Sequence, residues 1–149
     1  MWTSNQRHRL AIEKKLLEKN FPDFQFYNPT SETDCYIYGK LISSQKRTYY
    51  IKICIPNFPD RCPKAFLCYP KSIKDFYGKP LVDIGTSHKM HTLSPSKEGF
   101  VQLCLYREER WTASCSLIKL IIKAGLWIEA YEAHLKTGRP IDDFVKTMN

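Results

Sequence analysis

The segment Ser114–Lys136 constrains this chain more than any other. Within it Leu117, Ile121, Ala124, Ile128, Tyr131 and Leu135 step by four, three, four, three and four, which lines one face of an α-helix. Ile118, Leu120, Ile122 and Trp127 spread apolar surface beyond that stripe, so the helix needs cover on more than one side. It is therefore expected at the centre of the molecule, packed against a sheet. Thr112 or Ser114 can cap its start, while Lys136, Gly138 and Pro140 supply the end signals.

The sheet has to come from the residues before it. A first amphipathic helix is predicted over Ser4–Asn20, where Leu10, Ile12, Leu16 and Leu17 recur at helical spacing. The cluster Arg7, Arg9, Lys14, Lys15 and Lys19, interrupted by Glu13 and Glu18, reads as its solvated face. Asn20, Pro22 and the aromatics Phe24, Phe26 and Tyr27 break the period, and Asn28-Pro29 marks a turn. Cys35–Ile42 reads as a strand and the polar Ser43–Lys46 as a hairpin turn. The clearest strand is Tyr49–Ile55, with Tyr49, Ile51, Ile53 and Ile55 on one face and Tyr50, Lys52 and Cys54 on the other. Pro56, Pro59 and Pro63 cannot donate to a ladder, so the segment through Pro63 is predicted to be a rigid extended loop. Ala65–Tyr69 is a further short strand, Lys71–Lys89 a surface excursion, and Phe100–Leu105 another strand. The resulting expectation is an α+β fold: an N-terminal helix, an antiparallel meander sheet and a long central C-terminal helix, in a single domain spanning 1–149.

A chain of 149 residues can bury enough surface to fold without a disulfide framework. Met1–Leu16 is polar and mixed in charge where a signal peptide needs an apolar core, and no segment is apolar and long enough to span a membrane. A cytoplasmic location is expected, in which the six cysteines are thiols. The net charge of +8 favours acidic partners without naming one. A nucleic-acid partner that uses the N-terminal Lys/Arg face with Trp2, Phe21 and Phe24 is not favoured, because no DNA- or RNA-binding motif is present.

Several runs resemble the ubiquitin-conjugating enzymes. Tyr50-Ile51-Lys52-Ile53-Cys54-Ile55-Pro56-Asn57-Phe58-Pro59, closed by Cys62-Pro63-Lys64, is similar to that family's third strand and proline-rich loop. His91, a turn ending at Gly99, the strand Phe100-Val101-Gln102-Leu103-Cys104-Leu105 and Trp111 follow the order of its histidine motif, catalytic cysteine and following tryptophan. Trp127-Ile128-Glu129-Ala130-Tyr131-Glu132 with Thr137-Gly138 is similar to the ending of bacterial members, and the resemblance covers roughly Ser4–Phe144. It implies the conjugating-enzyme (UBC-like) fold, with Cys104 as the thioester-forming nucleophile and His91 as the histidine that holds the turn beside it. It also implies a protein C-terminal tail as partner and an activating enzyme as its supplier. The tail belongs to a ubiquitin-like protein or, in antiphage CBASS operons, to a cGAS-like nucleotidyltransferase; the stand-alone form of the domain favours the CBASS setting.

Two departures stand out. His91 is followed by Thr92 and Leu93 instead of proline and asparagine, so the expected oxyanion donor is missing, and His88 competes with His91 for the equivalent position. On pattern alone, a buried structural cysteine between Leu103 and Leu105 stands level with a catalytic one, and the resemblance decides for catalysis. A noncatalytic binding module of the same fold is the alternative. Arg107 and Arg110 are candidates to lower the Cys104 pKa. Cys62 in the proline loop and Cys115 at the start of the long helix are secondary thiol candidates, whereas Cys35, Cys54 and Cys68 read as small core residues. Trp111 reads as packing beside the cysteine strand, Tyr106 as a neighbour of the thiol, and His8 and His134 as surface residues. No cofactor is expected, and no metal, since a zinc site from His88, His91 and a cysteine lacks paired Cys-x-x-Cys units.

Overall fold

The computed structural model describes residues 1–145. Helix α1 (Ser4–Asn20) begins at a capping box: the Thr3 hydroxyl accepts from the Gln6 amide, and the Gln6 side chain returns a bond to the Thr3 amide. Six strands follow: β1 (Gln25–Tyr27), β2 (Tyr36–Ile42), β3 (Thr48–Cys54), β4 (Lys64–Tyr69), β5 (Thr92–Leu93) and β6 (Val101–Leu103). Helix α2 (Leu81–Ile84) interrupts the excursion between β4 and β5. The long helix α3 (Leu117–Thr137) and the short α4 (Asp142–Val145) end the described chain.

The sheet is antiparallel throughout, in the order β1-β2-β3-β4-β6-β5. The predicted meander therefore runs through β4, after which the excursion carries the chain to the far edge. There β5 is laid down first, and β6 returns between β5 and β4. Register puts Ile37 opposite Ile53, Ile53 opposite Ala65 and Ala65 opposite Leu103, all buried on one face. Residues from both α1 and α3 belong to the same core, with Leu17, Ile121, Trp127 and Ile128 almost fully enclosed. Each such side chain contributes about 1.5–3 kcal/mol by leaving water. Gly39 is required where β2 passes Phe24, because a Cβ there would stand 2.5 Å from the phenyl ring.

The other face carries a row of tyrosines. Tyr27 stacks on Tyr36 and Tyr38 on Tyr50, with Lys52 over the Tyr36 ring. Cys54 and Cys68, expected in the core, are half-buried, because the two-residue period of their strands turns them away from it.

Four further expectations are corrected. The Ile55–Pro63 loop is folded through turns, closed by Phe58 N–H to Ile55 O and Asp60 N–H to Asn57 O, and it buries Phe58 in the core. The excursion is anchored rather than superficial, since Ile73 and Leu81 are buried and joined by a 3.0 Å backbone bond. The N-cap of α3 is Ser116, which accepts from Lys119 N–H. His134, expected on the surface, is only 3% exposed. It accepts from the Phe76 amide at 3.0 Å through Nε2 and donates to the Arg139 carbonyl at 2.7 Å through Nδ1, tying the excursion to the end of α3.

Glu13 and Arg9 also leave the solvated face assigned to them. Glu13 is 2% exposed and accepts from the Leu117 amide at 2.7 Å, at the first turn of α3. Arg9 bonds Glu13 and the carbonyls of Ala113 and Cys115. The start of α3 is thus tethered to α1 by a buried carboxylate and its guanidinium partner.

Candidate functional site

Cys104 lies one residue beyond β6, half-buried, and lines a groove of about 520 Å³. Buried apolar side chains, Ile53, Ala65, Leu103 and Leu120, form one part of that lining, and exposed polar ones, Thr86, Ser94, Arg107 and Glu109, another. Its backbone is held by the residue that sequence order paired with it. The Cys104 amide donates to the His91 carbonyl at 2.9 Å, and the same carbonyl accepts from the Trp127 indole at 3.1 Å. Trp127 reaches the Met90 carbonyl at 3.1 Å as well, so α3 fixes the turn on which the thiol strand rests.

His91 touches Cys104 through its backbone, while its imidazole is turned elsewhere. The ring is 4% exposed and donates from Nε2 to Asp142 Oδ1 at 2.7 Å, with the residue itself at a φ of 50°. His88, the competing histidine, is 71% exposed, and its Nε2 lies 3.5 Å from Asp142 Oδ2. Neither sequence spacing nor motif order pointed to Asp142, which is brought to the two histidines only by the chain turning back after α3.

The electrostatics at the thiol are divided. Burial pushes the Cys104 pKa above its ordinary value; Arg107 and Lys123 pull it down and Glu109 raises it, and burial prevails. Arg107 thus acts in the expected direction without deciding the outcome. Burial also holds Cys62, which lines the same groove, up at about 11, with Glu108 adding to the effect. Cys115 moves the other way. Its slight burial raises the pKa, but hydrogen bonds from Thr112 and Tyr106 and the charge of Lys119 bring it below the ordinary value.

Lys123 is a side chain whose charge acts on the Cys104 thiol and which the sequence pattern does not single out. It sits in α3, 5% exposed, with Nζ donating to the Leu105 carbonyl at 3.2 Å and lying 3.6 Å from the Tyr106 ring centre. Burial lowers its pKa, and neighbouring Lys119 lowers it further. A lysine among apolar positions of a core helix is the signal that would have found it. The Tyr106 hydroxyl is buried without a hydrogen bond of good geometry, although the Lys119 amine and the Cys115 thiol are near enough to influence its ionisation. Trp111 packs edge-on against Tyr106 and donates to the Pro59 carbonyl at 2.8 Å, a packing role.

Chemically, the arrangement offers the Cys104 and Cys62 sulfurs in one groove, a cationic side chain, Lys123, whose charge acts on the Cys104 thiol, and hydroxyl and amide donors from Thr86, Ser94 and Gln102 along the same groove. No helix among the described residues is long and apolar enough to cross a membrane. Comparison of the chain with known proteins yields no matching family model, no matching curated protein and no matching solved structure.

Proposed function

We propose that this chain is a conjugating-type cysteine transferase of the ubiquitin-conjugating (UBC-like) fold, with Cys104 as the nucleophile. The thiolate attacks the activated C-terminal carboxyl of a partner protein, expelling the activating group and forming a thioester. An amine then attacks that carbonyl, an amide forms, and the thiol is regenerated. Supporting this reading is one observation above the rest: Cys104 lines an open groove at the end of a strand instead of being sealed in the core. The Lys123 cation and the donors along the groove supply charge stabilisation for the tetrahedral intermediate in place of the missing asparagine. The carried tail is that of a cGAS-like nucleotidyltransferase in CBASS antiviral defence, or of a ubiquitin-like protein.

The raised pKa of Cys104 favours a second reading, a binding module of the same fold with an inert thiol. Supplying an activating system and a tagged tail discriminates the two. The transferase forms a protein–protein adduct that reducing agent cleaves, that Cys104→Ala abolishes, and that Cys62→Ala and Cys115→Ala leave intact. An adduct that survives in Cys104→Ala removes the assignment, and binding without any adduct establishes the module.

A further inference from the structure

The groove around Cys104 leaves unused a second group of side chains on the other side of His91. The ligand atoms of His88, His91 and Asp142 all lie within 4.8 Å of one another. The carboxylate is already shared between the imidazoles, with Oδ1 2.7 Å from His91 Nε2 and Oδ2 3.5 Å from His88 Nε2. We infer that His88, His91 and Asp142 form a binding site for a divalent transition metal of the zinc class, independent of the thioester chemistry.

The donor set is right for that ion. Two imidazole nitrogens and one carboxylate oxygen, with a fourth position open to water, are ligands zinc accepts at about 2.0–2.2 Å, which separates neighbouring ligand atoms by about 3.4 Å in a tetrahedron. His88 Nε2 already stands at that spacing from Asp142 Oδ2, while His91 Nε2 meets the other oxygen, Oδ1, so a turn of the carboxylate that offers one oxygen to both imidazoles is the adjustment the ion requires. Calcium and magnesium, which prefer all-oxygen ligands, are excluded by the two nitrogens. On binding, the Nε2 proton that His91 now donates to Asp142 leaves that nitrogen, either by a shift to Nδ1 or by release to solvent, and the nitrogen lone pair takes its place.

Preorganisation is what distinguishes this group from a chance meeting of surface residues. His91 is 4% exposed, and its backbone is fixed by Trp127 and Cys104. The Asp142 amide donates to the Lys89 carbonyl at 2.8 Å, which joins the loop to the chain beyond α3 by a bond that does not use the ligands. Ile141, next to Asp142, is fully buried and seats that segment. One histidine and the carboxylate are therefore held by the fold, while the exposed His88 is able to swing onto the ion. A metal here would fasten α4 to the turn that carries His91, and through the His91 carbonyl it would stiffen the strand that presents Cys104.

The test uses the full chain without a polyhistidine tag, stripped with chelator and titrated with zinc against a chromophoric competitor, and with cobalt followed by its visible absorption. One equivalent is expected to bind, with a cobalt spectrum and a raised thermal midpoint. His88→Ala, a change at an exposed position, and Asp142→Asn are each expected to weaken zinc at least tenfold and to remove the thermal shift, while far-ultraviolet circular dichroism stays native. A Cys62→Ala, Cys104→Ala, Cys115→Ala triple variant is expected to bind as the parent does. Binding that is lost with the cysteines, or that is equal in the parent and His88→Ala, overturns the site. These outcomes are independent of adduct formation, so failure of the metal site and failure of the thioester reading are separately visible.

Discussion

Removing the Glu13 carboxylate tests how α3, which supplies Lys123 and Trp127, is held in place. Glu13 accepts from the buried Leu117 amide at 2.7 Å and from Arg9 Nε at 3.3 Å. A hydrogen bond to a charged group contributes about 1.5–3 kcal/mol net, and a neutral one about 0.5–1.5. Glu13→Gln keeps an acceptor for Leu117 and loses the charge, so it is expected to cost about 1 kcal/mol. Glu13→Ala removes the acceptor, strands a buried amide at a cost of about 1–3 kcal/mol and gives up the carboxylate's favourable place at a helix N-terminus, for a total of about 2–4 kcal/mol. For a chain of this size that lowers the thermal midpoint by roughly 4–16 °C. Urea denaturation with a two-state fit, checked by thermal circular dichroism, measures both variants. A second substitution, Arg9→Leu, made in both backgrounds, should reveal a coupling on the order of 0.5–3 kcal/mol between the two side chains. The reasoning is refuted if Glu13→Ala lies within about 0.5 kcal/mol of the parent, the range of an ordinary surface change, or if it matches Glu13→Gln.

Thiol reactivity provides a second check. Limited alkylation followed by peptide mapping is expected to modify Cys115 before either Cys104 or Cys62, because Cys115 is shifted below the ordinary thiol value, Cys104 above it and Cys62 to about 11. Since a raised pKa means less thiolate at a given pH, the Cys104 rate should reach half its maximum above pH 9.0, the ordinary value. Lys123→Met removes a charge that favours the thiolate and should move that midpoint higher still; a midpoint below pH 9.0 would contradict the balance assigned to burial. Gly39→Ala is expected to destabilise the protein by about 1–3 kcal/mol through overpacking, because its Cβ would meet the Phe24 ring at 2.5 Å and the Phe24 Cα at 2.8 Å. Denaturant unfolding unchanged by that substitution would show that Phe24 yields freely.

What could be read in advance was whatever has a local period or a local punctuation. Ser4–Asn20 and the α3 stripe follow from helical spacing, and β3 follows from strict alternation between Thr48 and Cys54. Glu13, Arg9 and His134 were misread as solvated for the opposite reason. Their partners, the Leu117 amide, the Cys115 carbonyl and the Phe76 amide, lie 58 to 106 residues away in the chain, and a polar side chain with a distant partner looks like any other surface residue. Lys123 was passed over because helical periodicity ranks a lysine as outward-facing, whereas the Leu105 carbonyl and the Tyr106 ring draw it inward.

The sequence by itself determined the α+β character and the order of α1, β2, β3, β4, β6 and α3, because each rests on neighbouring residues whose patterns a short stretch of chain can carry, while the candidacy of Cys104 came from the family resemblance. Tertiary structure alone decided that β6 enters between β4 and β5, that the Cys104 thiol meets a groove, and that Asp142 closes on His88 and His91. Those outcomes depend on which distant surfaces must be buried together. Which distant surfaces meet is a property of the whole chain's packing, and no local pattern encodes it.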